Sequence, residues 1–264
     1  MTRIAVTGAL GRMGTLVIQE AARIKGMELV AGLDVIGAGE PLPGGLLVKD
    51  ASRLEEVIIE SKPDVLIDFT IAKAAVENAC TAASLGVDLV IGTTGISPEQ
   101  HSQMRAAIEG NVAAVISPNF SVGVNLFWKL VADAAASLKG YDFDIEIIEA
   151  HHNQKKDAPS GTALATVQAI RRARGEPDSL DASGAVYGRK GIMLRGKEIG
   201  VHAVRAGDIV GDHTVLMAGP GERLEIKHQA HSRTAFASGA VRAASWVAGR
   251  DPGIYSMGDV LQSR

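Results

Sequence analysis

The 264-residue chain is 46% hydrophobic and 22% charged, the balance of a globular protein and not of a disordered one. Its formal net charge of -3 gives no overall positive field to attract nucleic acid or an anionic membrane, which leaves room only for a local basic patch suited to a small anion. A single cysteine, Cys80, excludes an intramolecular disulfide, fits a reducing cytoplasm, and reads as a small buried apolar residue. The first ten residues run straight into a strand pattern without a basic, apolar and cleavable leader, and no apolar stretch is long enough to span a bilayer; a cytoplasmic protein without membrane contact is expected.

In chain order, IAVTG (Ile4 to Gly8) predicts a buried strand and GTLVIQEAARIKG the helix after it. MELVAGLD (Met27 to Asp34) is a second strand, and DVIGAGEPLPGG a loop with no evident role. A short helix fits SRLEEVIIESK. DVLIDFT (Asp64 to Thr70) is a strand and AKAAVENACTAASLG a helix; VDLVIGTTG is a strand and its turn, SPEQHSQMRAAIEG a capped helix, and VAAVISPNF a further strand. Strands separated by helices imply parallel pairing in a doubly wound sheet, and their barely alternating apolar runs suit strands covered on both faces. After Phe120 the rhythm changes. FWKLVADAAASLKG predicts a long amphipathic helix, FDIEIIEAHH a strand ending in polar residues, and SGTALATVQAIRRARG another helix. Val186 to Lys227 reads as strands with glycine turns in a mixed or antiparallel sheet. The small-residue helix TAFASGAVRAASWVAGR then returns to the first domain. The expected division is residues 1–121 with 233–264 as a Rossmann-like dinucleotide-binding domain, and 122–232 as a second α/β domain on a mixed sheet for substrate binding and oligomerisation.

Strand IAVTG runs into Gly8-Ala9-Leu10-Gly11-Arg12-Met13-Gly14 and a helix. Glycines here permit a tight turn, close approach of backbone to a pyrophosphate and close packing of helix on sheet, while the helix N-terminus offers free N–H groups and partial positive charge. The spacing G-x-x-G-x-x-G differs by one residue from the usual fingerprint. Asp34, 20 residues beyond Gly14 at the end of the second strand, supplies the carboxylate for ribose hydroxyls. Val35 follows it, and no lysine or arginine comes before Lys49. A 2′-phosphate would meet a carboxylate with no sequence-local cation, so NADH is expected in preference to NADPH, with NADPH still usable through a cation from elsewhere. The loops Gly92-Thr93-Thr94 and Ser117-Pro118-Asn119-Phe120 follow strands of the same sheet, where ligand crevices form, although turn formation alone also explains the first.

The most informative segment is EAHHNQKKDAPSGTALA, Glu149 to Ala165. A strand delivers His151 and His152, a loop carries Lys155 and Lys156, and Ser160-Gly161-Thr162 opens a helix. Together these make an anion and proton-transfer site. Strand alternation forbids both histidines from pointing the same way, so one does chemistry while the other binds. No metal set is completed: His228 and His231 lack a cysteine or carboxylate to join them.

With GALGRMG, IDFT, GTTG, PNFSVGVN, EAHHNQKKDAPSGTA, VRAGDIVGDHTV and HSRTAFASGAVRAA all present, the chain resembles the dihydrodipicolinate reductase family (4-hydroxy-tetrahydrodipicolinate reductases of lysine and diaminopimelate synthesis) from end to end. The resemblance implies reduction of a cyclic imine dicarboxylate, with His151 as proton donor and acceptor and Lys155 as proton donor. It puts His152, Gly161 and Thr162, with Ser160 at the same helix start, on a substrate carboxylate. It sets the dinucleotide against Gly8, Ala9, Leu10, Gly11, Arg12, Met13, Asp34, Gly92, Thr93, Thr94, Ser117, Pro118, Asn119 and Phe120, and implies a homotetramer built through the second domain's sheet. Two positions depart from the family pattern. Gln154 stands where a third histidine is frequent, and Val35 where NADPH-using members have arginine. Two other readings stay open: another NAD-dependent dehydrogenase acting on an amino acid, and a nicotinamide-responsive binding protein without turnover.

Overall fold

The computed structural model describes residues 1–177 and 185–262. They form two units, Met1–Val122 with Arg233–Arg264, and Gly123–Ser232. The first opens with β1 (Thr2–Thr7), α1 (Arg12–Ala21), β2 (Met27–Asp34), β3 (Lys49–Asp50), α2 (Leu54–Ser61), β4 (Val65–Asp68), α3 (Ala72–Ser84), β5 (Asp88–Ile91), α4 (Pro98–Ile108) and β6 (Ala113–Ile116). The second holds α5 (Val122–Ser137), β7 (Asp144–His151), α6 (Gly161–Arg174), β8 (Ala185–Tyr187), β9 (Ile199–Arg205), β10 (Gly211–Gly219) and β11 (Glu222–Ala230). The chain then completes the first unit with α7 (Thr234–Val247), β12 (Gly253–Tyr255) and α8 (Met257–Gln262).

Strands of the first unit pair in parallel in the order β12-β6-β5-β4-β1-β2-β3. Alternation along each strand feeds two cores. Ile4, Val6, Val65 and Ile67 meet α1, α7 and α8 on one face, while Ala5, Leu33, Leu66 and Leu89 meet α2, α3 and α4 on the other. This is the doubly wound, Rossmann-like sheet expected of the sequence. Small residues let α7 lie close: a Cβ on Gly239 would stand 1.8 Å from the Phe120 carbonyl oxygen, so any larger residue forces the helix away. The strand order reverses between β1 and β4, and it is beyond the carboxyl ends of such neighbours that these folds bind ligands. Gly8, Asp34, Phe69, Gly92 and Ser117 all lie at those ends.

The second unit is a mixed sheet in the order β11-β10-β7-β9-β8, with β10 antiparallel to β7 and β11, and β9 parallel to β7 and β8. Ile145, Ile147, Val201, Val215 and Met217 share a core with Phe127 and Val131 of α5 and with Val167 and Ile170 of α6. The alternate positions Ile148 and Val204 remain exposed. Helix ends carry their expected signals. Ser97 and Gln100 close a capping box at α4 behind Pro98, and Gly175 takes the left-handed conformation that stops α6.

Three expectations are corrected in detail. Helix α5 starts at Val122 and not near Phe127, because Val124 joins Phe127 in buried positions despite the weak helix propensity of Val-Gly-Val. Helix α1 runs from Arg12 to Ala21, and turns follow it where helix was expected to continue toward Gly26. The edge strand β12 and the helix α8 were not expected at all.

Candidate active site

At the end of β1 the chain turns through Gly8, whose φ of +71° lies in the left-handed region. The Gly11 N–H donates to the Gly8 carbonyl at 3.0 Å and α1 begins at Arg12. Gly14 is forced: a Cβ there would lie 2.0 Å from the Gly8 carbonyl oxygen, a backbone atom with nowhere to move. Asp34 braces the same loop, one oxygen accepting from the Leu10 N–H at 2.9 Å and the other from the Val35 N–H at 2.8 Å. A carboxylate has about four acceptor positions, so Asp34 keeps lone pairs for further donors. Beside it lies a cavity of about 390 Å3, lined by Thr7, Gly8, Asp34, Val35, Thr70 and Glu77 among others. None of the described residues lining it is a lysine or arginine. The loop, the helix N-terminus and this carboxylate fit a dinucleotide.

A second carboxylate organises the neighbouring loops. Asp68, buried at the end of β4, accepts from the hydroxyls of Thr7 (2.7 Å), Thr70 (2.8 Å) and Thr93 (2.8 Å), from the Thr70 N–H and from the Asn78 amide. Thr93 is thereby fixed and buried, while Thr94 is exposed. Ser117 donates to the Asn119 carbonyl at 2.8 Å. The Phe120 ring is buried edge-on against Phe69, so that residue can offer a ligand only its backbone.

In the second unit, β7 places Glu149 and His151 two residues apart on one face. Glu149 is fully buried and yet surrounded by donors. His151 Nδ1 lies 2.5 Å from one carboxylate oxygen, Arg205 spans both oxygens at 2.8 Å each, and the Ser160 N–H reaches the inner one at 3.0 Å. Burial alone would push this carboxyl up, but the hydrogen bonds from His151, Arg205 and Ser160 override it and hold it at about 2. As an ionised acceptor, Glu149 receives a hydrogen bond from Nδ1–H and leaves Nε2 of His151 outside this contact. Backbone of β10 closes in beside that nitrogen, where a Cβ on Gly211 would come within 3.1 Å.

Ser160 caps α6, its hydroxyl accepting from the Ala163 N–H at 3.2 Å and lying 3.3 Å from His213 Nε2. Burial, helped by the nearby His151, pushes His213 down to about 3, so its imidazole is neutral and shares one hydrogen bond with the Ser160 hydroxyl. Its ring stands edge-on to His151 at 5.2 Å. The exposed Gly161 and half-buried Thr162 follow at the first positions of α6, a helix start whose partial positive charge suits an anion. Lys155 sits in the loop between β7 and α6, its ammonium 2.9 Å from Asp157, and His152 is half-buried at the loop's start.

Within this unit His151, Lys155, Ser160, Gly161 and Thr162 therefore belong to one β7–loop–α6 segment. Glu149, Arg205, His213 and Asp68 were not picked out from the sequence. Glu149 was readable, being two residues before His151 on a strand. Arg205 reaches it only through the pairing of His151 with Arg205 across β7 and β9.

A Rossmann-like sheet with this loop, joined in one chain to a histidine–carboxylate pair and a capped helix N-terminus, defines a dinucleotide-dependent oxidoreductase. Residues 2–120 match the family described as dihydrodipicolinate reductase, N-terminus, and residues 123–261 match dihydrodipicolinate reductase, C-terminus. The chain belongs to the dihydrodipicolinate reductase family. It is 57% identical to the 4-hydroxy-tetrahydrodipicolinate reductase of Methanosarcina barkeri and 50% identical to that of Methanothermobacter thermautotrophicus, each match covering 99% of both chains. A dipicolinate-bound dihydrodipicolinate reductase from Paenisporosarcina superposes with a TM-score of 0.77 at 31% identity over 97% of both chains. A probable dehydrogenase from Thermotoga maritima shares the fold, at a TM-score of 0.63 and 12% identity.

Proposed function

We propose that the chain carries out its family's reaction, the NAD(P)H-dependent reduction of 4-hydroxy-tetrahydrodipicolinate to tetrahydrodipicolinate in lysine and diaminopimelate synthesis. The observation that carries the residue roles is the ionised, buried Glu149 holding Nδ1 of His151 at 2.5 Å beside the start of α6. When bound, the nicotinamide supplies a hydride. Once the 4-hydroxyl has left as water, hydride addition to the resulting conjugated C=C–C=N system needs one proton on the enamine carbon, which Lys155 donates or relays with His151 through Nε2. The N–H groups at Gly161 and Thr162, the Thr162 hydroxyl and His152 take a substrate carboxylate, while Ser160 holds that helix start in place. Residues 1–121 with 233–264 serve the dinucleotide and 122–232 the substrate. On the cofactor side, Gly8 to Met13 face the pyrophosphate, Asp34 the ribose, and Gly92 to Thr94 with Ser117 to Phe120 the nicotinamide half.

NADH is preferred. The cavity beside Asp34 also carries Glu77 and no described basic side chain, a poor setting for a 2′-phosphate. The exposed Ile148 and Val204 on the uncovered face of the second sheet support assembly there into a homotetramer. A reducing, cytoplasmic setting suits the free Cys80. No described helix is long and apolar enough to cross a membrane.

The test replaces the proton donors. Lys155→Ala and His151→Gln should each lower kcat on the order of a hundredfold or more, leave NADH binding near normal, and be less than additive in the double variant. Near-normal kcat in both single variants would overturn these roles.

A further inference from the structure

Arg205 has no role above and Glu149 none beyond holding His151, yet between them they connect to His151, to the start of α6 and, through Asp157, to Lys155. One oxygen of Glu149 receives Nδ1 of His151 and the other receives the Ser160 N–H at the start of α6. Arg205, delivered by β9, grips both oxygens and donates a further hydrogen bond to the Asp157 carbonyl at 2.6 Å. Asp157 in turn carries the Lys155 ammonium on its side chain. Among the described residues, the titratable and charged groups against His151 are Glu149 on its own strand, Arg205 on β9 and the neutral His213 on β10.

The chemistry of the histidine requires one particular arrangement of this cluster. A carboxylate without water or a cation around it tends to take up a proton. A protonated Glu149 would donate to Nδ1 and move the imidazole proton to Nε2, the nitrogen that has to accept. The guanidinium fork, matched to both carboxylate oxygens, keeps Glu149 an acceptor. We infer that Glu149 and Arg205 are positioning residues that hold His151 in its Nδ1–H tautomer and tie the Lys155 loop and the α6 N-terminus to the same carboxylate. The inference rests on the reading of His151 as the proton-exchanging group. It assigns Glu149 and Arg205 no contact with substrate.

Glu149→Gln keeps the shape and removes the charge. Arg205 claims the amide oxygen, and the amide N–H2 then faces Nδ1. In the holoenzyme with NADH bound, selective 15N labelling of histidine should show His151 as the Nδ1–H tautomer in the wild type and as Nε2–H in Glu149→Gln. kcat should fall on the order of a hundredfold, the scale of a lost general acid–base contribution, with the NADH dissociation constant unchanged. A purely structural staple would lower stability without inverting the tautomer, so an Nδ1–H His151 in Glu149→Gln, or kcat within about threefold of wild type, overturns the inference. His151→Gln is measured alongside. If it turns over normally, the reading of His151 itself fails; if it is inactive while Glu149→Gln is normal, only the positioning role fails. Should Glu149→Gln not fold, Arg205→Lys keeps the charge but loses the planar fork that spans both carboxylate oxygens and the Asp157 carbonyl. Its kcat should drop at least about tenfold with NADH affinity kept, and wild-type kcat there is the overturning result.

Discussion

Acid should unfold the second unit in a way that can be traced to Glu149. Its carboxyl is held at about 2 against an ordinary value of 4.5, so on acidification the unfolded chain takes up this proton before the folded one does. The contribution is complete above pH 4.5 and is lost as pH falls toward 2. The whole span corresponds to ~3 kcal/mol, most of which is gone by about pH 2.5. Glu149→Gln cannot titrate and should lack this component. Of the two tryptophans, Trp128 belongs to the second unit, where its indole N–H donates to the Thr166 hydroxyl at 3.0 Å. In a Trp246→Phe background, urea unfolding followed by Trp128 fluorescence therefore reports on that unit. Between about pH 7 and 2.5 the background protein should lose ~2–3 kcal/mol more than its Glu149→Gln derivative. Parallel losses, within about 0.5 kcal/mol, would refute the assignment of a strongly stabilised carboxylate to the core of the site.

His213 adds a second acid-sensitive component. Held at about 3 against 6.5 by burial, it makes the folded state lose stability as pH falls from 6.5 toward 3, and His213→Gln should flatten that window in the same urea series. At one ionic strength, kcat/KM should favour NADH over NADPH by about fivefold or more, since a like-charge pair at contact distance in water costs ~1 kcal/mol; better use of NADPH would require a basic side chain reaching the Asp34 cavity. Thr162→Val should mainly raise the KM for substrate and weaken inhibition by pyridine-2,6-dicarboxylate, with kcat changed less than about threefold, and a kcat effect matching Lys155→Ala would instead move Thr162 into the chemistry.

Much of this was legible in the sequence because its signals are local. The strand–glycine loop–helix–strand–acid order from Ile4 to Asp34 needs only neighbours, and Ser97 with Gln100 or Ser160 before Gly161 announce their helices within one turn. The parts that stayed hidden depend on partners far along the chain. Arg205 looks like an ordinary surface charge until β9 is registered against β7, and the buried His213 gains its meaning only when β10 sets it against Ser160. Asp68, read only as part of a strand, becomes a hub because Thr7 of β1, Asn78 of α3 and Thr93 of the loop after β5 converge on it. Short edge strands such as Gly253–Tyr255 carry too few residues for any period to show.

The most direct test of the central claim is to give the purified protein freshly generated 4-hydroxy-tetrahydrodipicolinate and NADH and follow nicotinamide absorbance. One NADH should be consumed per substrate molecule over many turnovers, and the reaction should be suppressed by pyridine-2,6-dicarboxylate. Stable NADH binding with no oxidation on this or any related cyclic imine dicarboxylate would contradict the account, and would leave a chain that binds the dinucleotide without using it.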